Sequence, residues 1–244
     1  MRILMLGDVV GEGGRRLVEA FVPELRREAR VDFVVVNGEN AAHGHGITER
    51  IAREWLDDLG VDVITTGNHV WKQKDLVPLM EEEPHVLRPA NYPKGAPGRG
   101  HTVIETPDGR KLGVINLEGR VFMRPLDNPF ALAPELVAEL RATFERHGLA
   151  GEVLLVDDEA PLRTALRGVL EDEGFRVFEA VDGAADGVQQ GRGAPDVVFP
   201  LGQLRHLSDG DPVVDQLGPG RRPHLSARNA SSWVASQTGV SCIG

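Results

Sequence analysis

An α/β fold is predicted by two features of the sequence. Apolar runs at Arg2–Leu6, Phe33–Val36 and Val61–Thr66 are rich in Val, Ile and Leu, the pattern of strands buried on both faces. Helical periodicity separates these runs, so the order strand, helix, strand, helix, strand emerges directly from the chain.

The first run, RILML, stops at Gly7-Asp8. Leu17–Arg30 then carries Leu17, Phe21 and Leu25 at i, i+4 and i+8, one face of a helix. Phe33–Val36 ends in Asn37-Gly38-Glu39-Asn40, and Thr48–Leu59 reads as the second helix. Thr48 suits an N-cap there, and Glu49 in the first turn complements the helix dipole. Val61–Thr66 ends in Gly67-Asn68-His69. His101–Thr106 and Lys111–Asn116 flank Pro107-Asp108-Gly109-Arg110, whose Asp-Gly step favours a hairpin. The Pro- and Asn-rich stretch 119–130 is expected to be a loop, and Pro134–His147 a helix closed by Gly148.

The chain has 244 residues, enough for one or two domains, and a formal net charge of -10. The acidity is concentrated in residues 149–200, where 11 acidic side chains face four basic ones. That leaves no basic footprint for a nucleic-acid polymer, although a small nucleotide needs none. Cys242 is the single cysteine, so an intrachain disulfide framework is excluded. No run approaches the roughly 18 apolar residues of a membrane span, and no cleavable leader pattern opens the chain. A cytoplasmic protein with no membrane partner is expected.

Polar groups at the carboxyl ends of strands converge on one edge of an open α/β sheet. Asp8, Glu39 with Asn40, and Asn68 with His69 occupy three such positions. Asp or Asn alone would serve as a turn cap. Three strand ends delivering carboxylate, amide and imidazole together favour a metal site.

GDVVG at 7–11, VNGENAA at 36–42, TGNHVW at 66–71, LRPANYP at 87–93 and INLEGRVFM with PLDNPF over 115–130 carry a resemblance. Over residues 1–147 the chain resembles the YmdB-like bacterial metallophosphoesterases, a calcineurin-like group that includes 2',3'-cyclic-nucleotide phosphodiesterases. The resemblance implies a calcineurin-like sandwich, here incomplete toward its C-terminus. It also implies two divalent ions, Fe, Mn or Mg, in keeping with hard oxygen donors. Asp8 would hold one ion, Glu39 would bridge, Asn68 would hold the second, Asn40 would support the site and His69 would donate a proton to the leaving oxygen. The group draws three further metal-binding histidines from later D-F-H and G-T-H-T-H motifs, and neither motif follows Leu117 here. His43 and His45 are expected to face solvent, and His85 and His101 to be structural or exposed.

A second resemblance begins after Gly151. Val153–Glu159, a helix over Pro161–Glu173, a strand over Gly174–Ala180 and Asp196–Phe199 look like the start of a flavodoxin-like response-regulator receiver spanning residues 152–200. Asp157 and Asp158 match its acidic pair, and helix capping explains them equally well. Leu201 stands where the phospho-acceptor Asp would be, and no Lys follows Lys111, so phosphorylation is not expected. Residues 201–244 lose all periodicity and read as an irregular or disordered tail, or as an out-of-frame translation.

The expected function is hydrolysis of a small phosphoester or nucleotide, such as a 2',3'-cyclic nucleotide, by a metal-activated water, impaired by the missing histidines. A non-catalytic signalling or interaction module and a non-functional fusion are the alternatives. A homo-oligomer is compatible with either class.

Overall fold

The computed structural model describes residues 2–120, 123–146, 151–156, 160–173, 177–180, 197–200 and 241–243. The chain runs β1 (Ile3–Leu6), α1 (Gly11–Glu28), β2 (Phe33–Asn37), α2 (Glu49–Arg53), a π-helical turn (Glu54–Asp58), β3 (Val63–Thr65), α3 (Leu76–Glu82) and β4 (Val86–Leu87). It continues through β5 (His101–Glu105), β6 (Lys111–Asn116), α4 (Pro129–Arg146), β7 (Gly151–Val156), α5 (Ala160–Asp172), β8 (Val177–Ala180), β9 (Val197–Pro200) and β10 (Ser241–Ile243).

Two five-stranded sheets result, ordered β10-β1-β2-β3-β4 and β5-β6-β7-β9-β8. In the first, β1 to β4 are parallel and β10 is antiparallel on the outer side of β1. The apolar runs lack polar alternation because each strand is covered twice. Ile3, Met5, Phe33, Val35, Val63 and Leu87 meet Ile104, Leu112 and Val114 of the second sheet in one buried cluster. The alternate residues Leu4, Val34, Val36 and Ile64 pack with Leu17, Phe21, Leu25 and Trp55 of the helical layer. On the far side of the second sheet, Ile115 and Leu117 pack against Val137, Leu140 and Phe144 of α4 and Leu166 and Leu170 of α5. The order of layers is helix, sheet, sheet, helix.

Several boundaries differ from those expected. Helix α1 begins at Gly11, six residues earlier than the apolar stripe suggests. Gly14 permits this, since a Cβ there would come within 2.9 Å of the Val9 side chain. Thr48 caps α2 as expected, its Oγ1 accepting from Ile51 N at 3.3 Å. Helix α4 begins at Pro129, inside the stretch read as loop. Asn128 starts it: its Oδ1 accepts from Phe130 N at 3.0 Å, its carbonyl accepts from Leu132 N, and proline suits the first helical position.

The receiver expectation is corrected by the strand order. A flavodoxin-like receiver places its first strand between the second and third. Here β9 lies between β7 and β8, and β7 pairs with β6 along its whole length, from Lys111 with Gly151 to Asn116 with Val156. These strands therefore extend the hairpin sheet that an incomplete sandwich would have left open, and no separate receiver sheet forms among the described residues. Asp157, Asp158 and nearly all of 201–244 lie outside the described residues. Within the expected tail, Ser241–Ile243 is a strand rather than irregular chain, because its backbone pairs with Ile3–Met5.

The two sheets are joined at the carboxyl end of β6. Asn116 Nδ2 donates to the carbonyls of Thr66 and Leu87 at 2.7 and 3.2 Å, Asn116 N donates to Gly100 O, and Ala90 N donates to Asn116 O. At the opposite end, Arg110 before β6 pairs with Asp32 before β2.

His101 opens β5, its Nε2 4.0 Å from Glu139 Oε1 on α4. Burial lowers its pKa, Glu139 works against that, and Arg88 and Arg99 reinforce it. The unfolded chain therefore takes up the proton first. The stability from neutral His101 is complete above the ordinary value of 6.5 and is lost as pH falls from there through the folded-state value. We predict that His101→Gln flattens this part of the acid limb in urea midpoints measured against pH; an unchanged limb would contradict it.

Candidate active site

The carboxyl ends of β1, β2 and β3 lie side by side, so Asp8, Glu39-Asn40 and Asn68-His69 come from adjacent strands. The backbone reinforces this convergence: Val9 N donates to Asn37 O, Gly11 N to Asn40 O and Gly38 N to Thr65 O, at 3.0–3.1 Å. Glu39 and Asn40 are 8% and 9% exposed, deep enough for their charge and polarity to need partners.

Asn40 links the other two strand ends. Its Nδ2 donates to Asp8 Oδ2 at 2.8 Å, and its Oδ1 lies 2.5 Å from His69 Nδ1. With the amide nitrogen committed to the carboxylate, the amide oxygen must accept, so His69 carries a hydrogen on Nδ1. That leaves Nε2 as the nitrogen available for chemistry. Burial lowers the pKa of His69, with smaller contributions in the same direction from His45 and Lys72 and an opposing one from Asp8.

Glu39 is placed by Gly67. A Cβ on Gly67 would overlap Glu39 Oε2 and lie 2.8 Å from its Cδ, so the carboxylate rests against the backbone of the residue preceding Asn68. Asn68 stands half-buried in the turn after β3, where Val70 N donates to Gly67 O at 3.1 Å.

His45 was expected to face solvent. It is exposed, yet its ring packs against His69 with centroids 5.0 Å apart and planes inclined at 54°. The signal lay in the flanking glycines: Gly44 and Gly46 adopt φ of +83° and +77°, which fold the loop back toward the site. His43 is exposed, with its own φ at +54°. His85 pairs through Nδ1 with Glu83 Oε1 at 3.0 Å.

The support beneath the site leaves no signal in the composition. Tyr92 Oη donates to Glu118 Oε2 at 3.0 Å, Asn91 Nδ2 donates to Glu118 O at 2.8 Å and Glu118 N donates to Asn91 Oδ1 at 3.0 Å. Burial, then Glu118, holds the Tyr92 phenol far above its usual pKa, so it remains a donor. This network fixes the Leu87–Pro93 segment to the end of β6.

Asp8 and Glu39 supply hard oxygen donors and Gly67 leaves room for the second carboxylate, which suits a divalent cation in kind. The number falls short: among the described residues no group of three or more His, Cys, Asp or Glu side chains is gathered as a metal site. The residues present therefore fit part of a coordination shell.

The family model for YmdB-like proteins matches residues 4–161. The chain belongs to the YmdB-like family. The match runs past residue 147 and takes in β7. The chain is 48% identical over 139 residues to the 2',3'-cyclic-nucleotide 2'-phosphodiesterase of Bacillus subtilis (strain 168), covering 57% of this chain and 52% of that protein. The chain thus spans about half the length of this curated relative. A crystal structure of a hypothetical protein from Thermus thermophilus superposes with a TM-score of 0.64 at 30% identity, covering 91% of this chain and 87% of that one. A crystal structure of a novel phosphatase from Mycoplasma pneumoniae gives a TM-score of 0.57 at 26% identity, over 73% and 63% of the two chains. Among the described residues no helix is long and apolar enough to cross a membrane.

Proposed function

We propose that the chain carries the phosphodiester-hydrolysing half-site of a YmdB-like enzyme, acting on a 2',3'-cyclic nucleotide or a similarly small phosphoester, at a rate reduced by its incomplete set of metal ligands. The observation that carries the reading is the hydrogen-bonded chain Asp8–Asn40–His69 beside Glu39. Asp8, Glu39 and Asn68 would hold the divalent metal, with Asn40 fixing Asp8. Bound there, a divalent ion lowers the pKa of a coordinated water and neutralises phosphate charge. Asn40 holds His69 with its hydrogen on Nδ1, so that Nε2, when protonated, hands its proton to the leaving oxygen of the phosphodiester. The identity of the relatives supports the substrate class, and the hard donors support the ion class.

The test is hydrolysis of 2',3'-cyclic AMP and of bis-p-nitrophenyl phosphate with added Mn²⁺, for the full chain and for Glu39→Gln. Slow turnover that falls a further ~100-fold in Glu39→Gln is expected, at or beyond the 10–100-fold typical of losing an outer-shell partner of a metal ligand. Turnover equal to that of the Bacillus subtilis relative would overturn the impairment. Turnover indifferent to Glu39→Gln would overturn the site.

A further inference from the structure

Residues 39–46 turn back over the strand ends and are pinned at both sides. Gly44 N donates to Asn40 O at 3.0 Å, Ala42 N to Gly46 O at 2.8 Å and Gly46 N to Glu39 O at 2.5 Å. From the neighbouring turn, Gln73 Nε2 donates to His45 O at 2.8 Å. Gly46 allows the two segments to touch, since a Cβ there would stand 2.9 Å from Gln73 Cγ and 3.2 Å from His69 O. The backbone of His45 is thereby tied to the turn that carries His69, and its ring lies against the His69 ring at 5.0 Å.

A ring held only by one hydrogen bond can still turn about Cβ–Cγ, which takes Nδ1 off Asn40 Oδ1 and puts Cδ2 in its place. Packing a second ring against His69 limits that freedom, because tilted aromatic contacts at 4.5–7 Å are attractive and sterically selective. Asn40 then holds Nδ1, and the His45 ring opposes the turn.

We propose that His45 is a positioning residue for His69: by packing on its imidazole it keeps Nδ1 on Asn40 and Nε2 directed at the leaving group of the phosphodiester. The catalytic consequence rests on the proton-donor role given to His69 above, whereas the ring geometry does not.

Full-length His45→Ala, His45→Phe and His45→Lys separate the possibilities. His45 is exposed, so the folded state is expected to survive each change, and an unaltered thermal transition checks this. Long-range ¹⁵N–¹H imidazole correlations report the His69 tautomer without any turnover. The wild type and His45→Phe are expected to show a single Nδ1–H form, and His45→Ala a mixture. With Mn²⁺ and a phosphodiester, kcat of His45→Ala is expected to fall about tenfold, part of the 10²–10⁴ that proton transfer supplies, with KM within about twofold. His45→Phe should retain most of kcat and His45→Lys should not. An unchanged tautomer in His45→Ala overturns the proposal, as does rescue of kcat by Lys but not by Phe, which would indicate a charge contact with substrate. If the wild type shows no turnover, the hydrolytic reading fails while the tautomer comparison still decides the role of His45.

Discussion

Gly67→Ala is expected to abolish most of the proposed phosphodiester hydrolysis and to weaken the proposed Mn²⁺ binding while leaving the fold intact. The added methyl would overlap Glu39 Oε2 and crowd Cδ at 2.8 Å. Glu39 is buried and its neighbours Gly38 and Asn40 are held by backbone hydrogen bonds, so the carboxylate must swing rather than the strand end yield. A displacement of about 1 Å at a reacting centre costs on the order of 100-fold, and that is the loss expected in rate. Calorimetric titration with Mn²⁺ should show the affinity falling with it. The thermal transition should move little, because the clash is with the far end of one side chain. Wild-type hydrolysis and Mn²⁺ affinity in Gly67→Ala would sink the placement of Glu39 at the centre of the site.

Gly100→Ala should produce the largest loss of stability among single methyl additions at the described glycines. A Cβ at this position would overlap both Cα and Cβ of Ala90 and stand 2.8 Å from its backbone nitrogen. Nothing flexible is available to move: Ala90 N is bound to Asn116 O at 2.7 Å and Asn116 N to Gly100 O at 2.9 Å. Overpacking ordinarily costs 1–3 kcal/mol, and a backbone-on-backbone clash belongs at or above the upper end, about 3 kcal/mol. For a chain of this size that corresponds to a fall of roughly 6–12 °C in Tm. Differential scanning calorimetry reads it, and a shift under about 2 °C would show that the junction between the sheets is more yielding than its hydrogen bonds imply.

The first sheet was legible in the sequence because both of its faces are buried: strands covered twice must be apolar without interruption, and β1, β2 and β3 announce themselves that way. The polar residues that end them were legible for the same reason, since Asp8, Asn40 and His69 contrast sharply with what precedes them. The start of α1 was hidden by Gly11, Gly13 and Gly14, residues of poor helix propensity, of which Gly14 packs closely against Val9. The start of α4 was hidden because Pro129 and Asn128 look like loop formers and act as a helix start. The receiver reading failed for a different reason. A βαβ pattern specifies strands and a helix but not which strand lies in the middle, and β9 rather than β7 took that place. His45 faces solvent as expected, and its contact with His69 was not legible because exposure and ring contact are independent: a side chain can face solvent and still touch a neighbouring ring.

The two ends of the sandwich are fastened by unlike means. At the site end, the buried amide of Asn116, which is 2% exposed, spans Thr66 and Leu87. At the other end stand Asp32 and Arg110, a solvent-accessible charge pair that salt screens and that contributes little in water. Transient opening of the sheets should therefore begin at the ionic end and die out before it reaches the strand termini around Asp8 and His69. Amide hydrogens near Asp32 and Lys111 would exchange early, and faster as ionic strength rises, while those of Asn116 and Ala90 persist. Breathing and the proposed chemistry are thus assigned to opposite ends of the same pair of sheets.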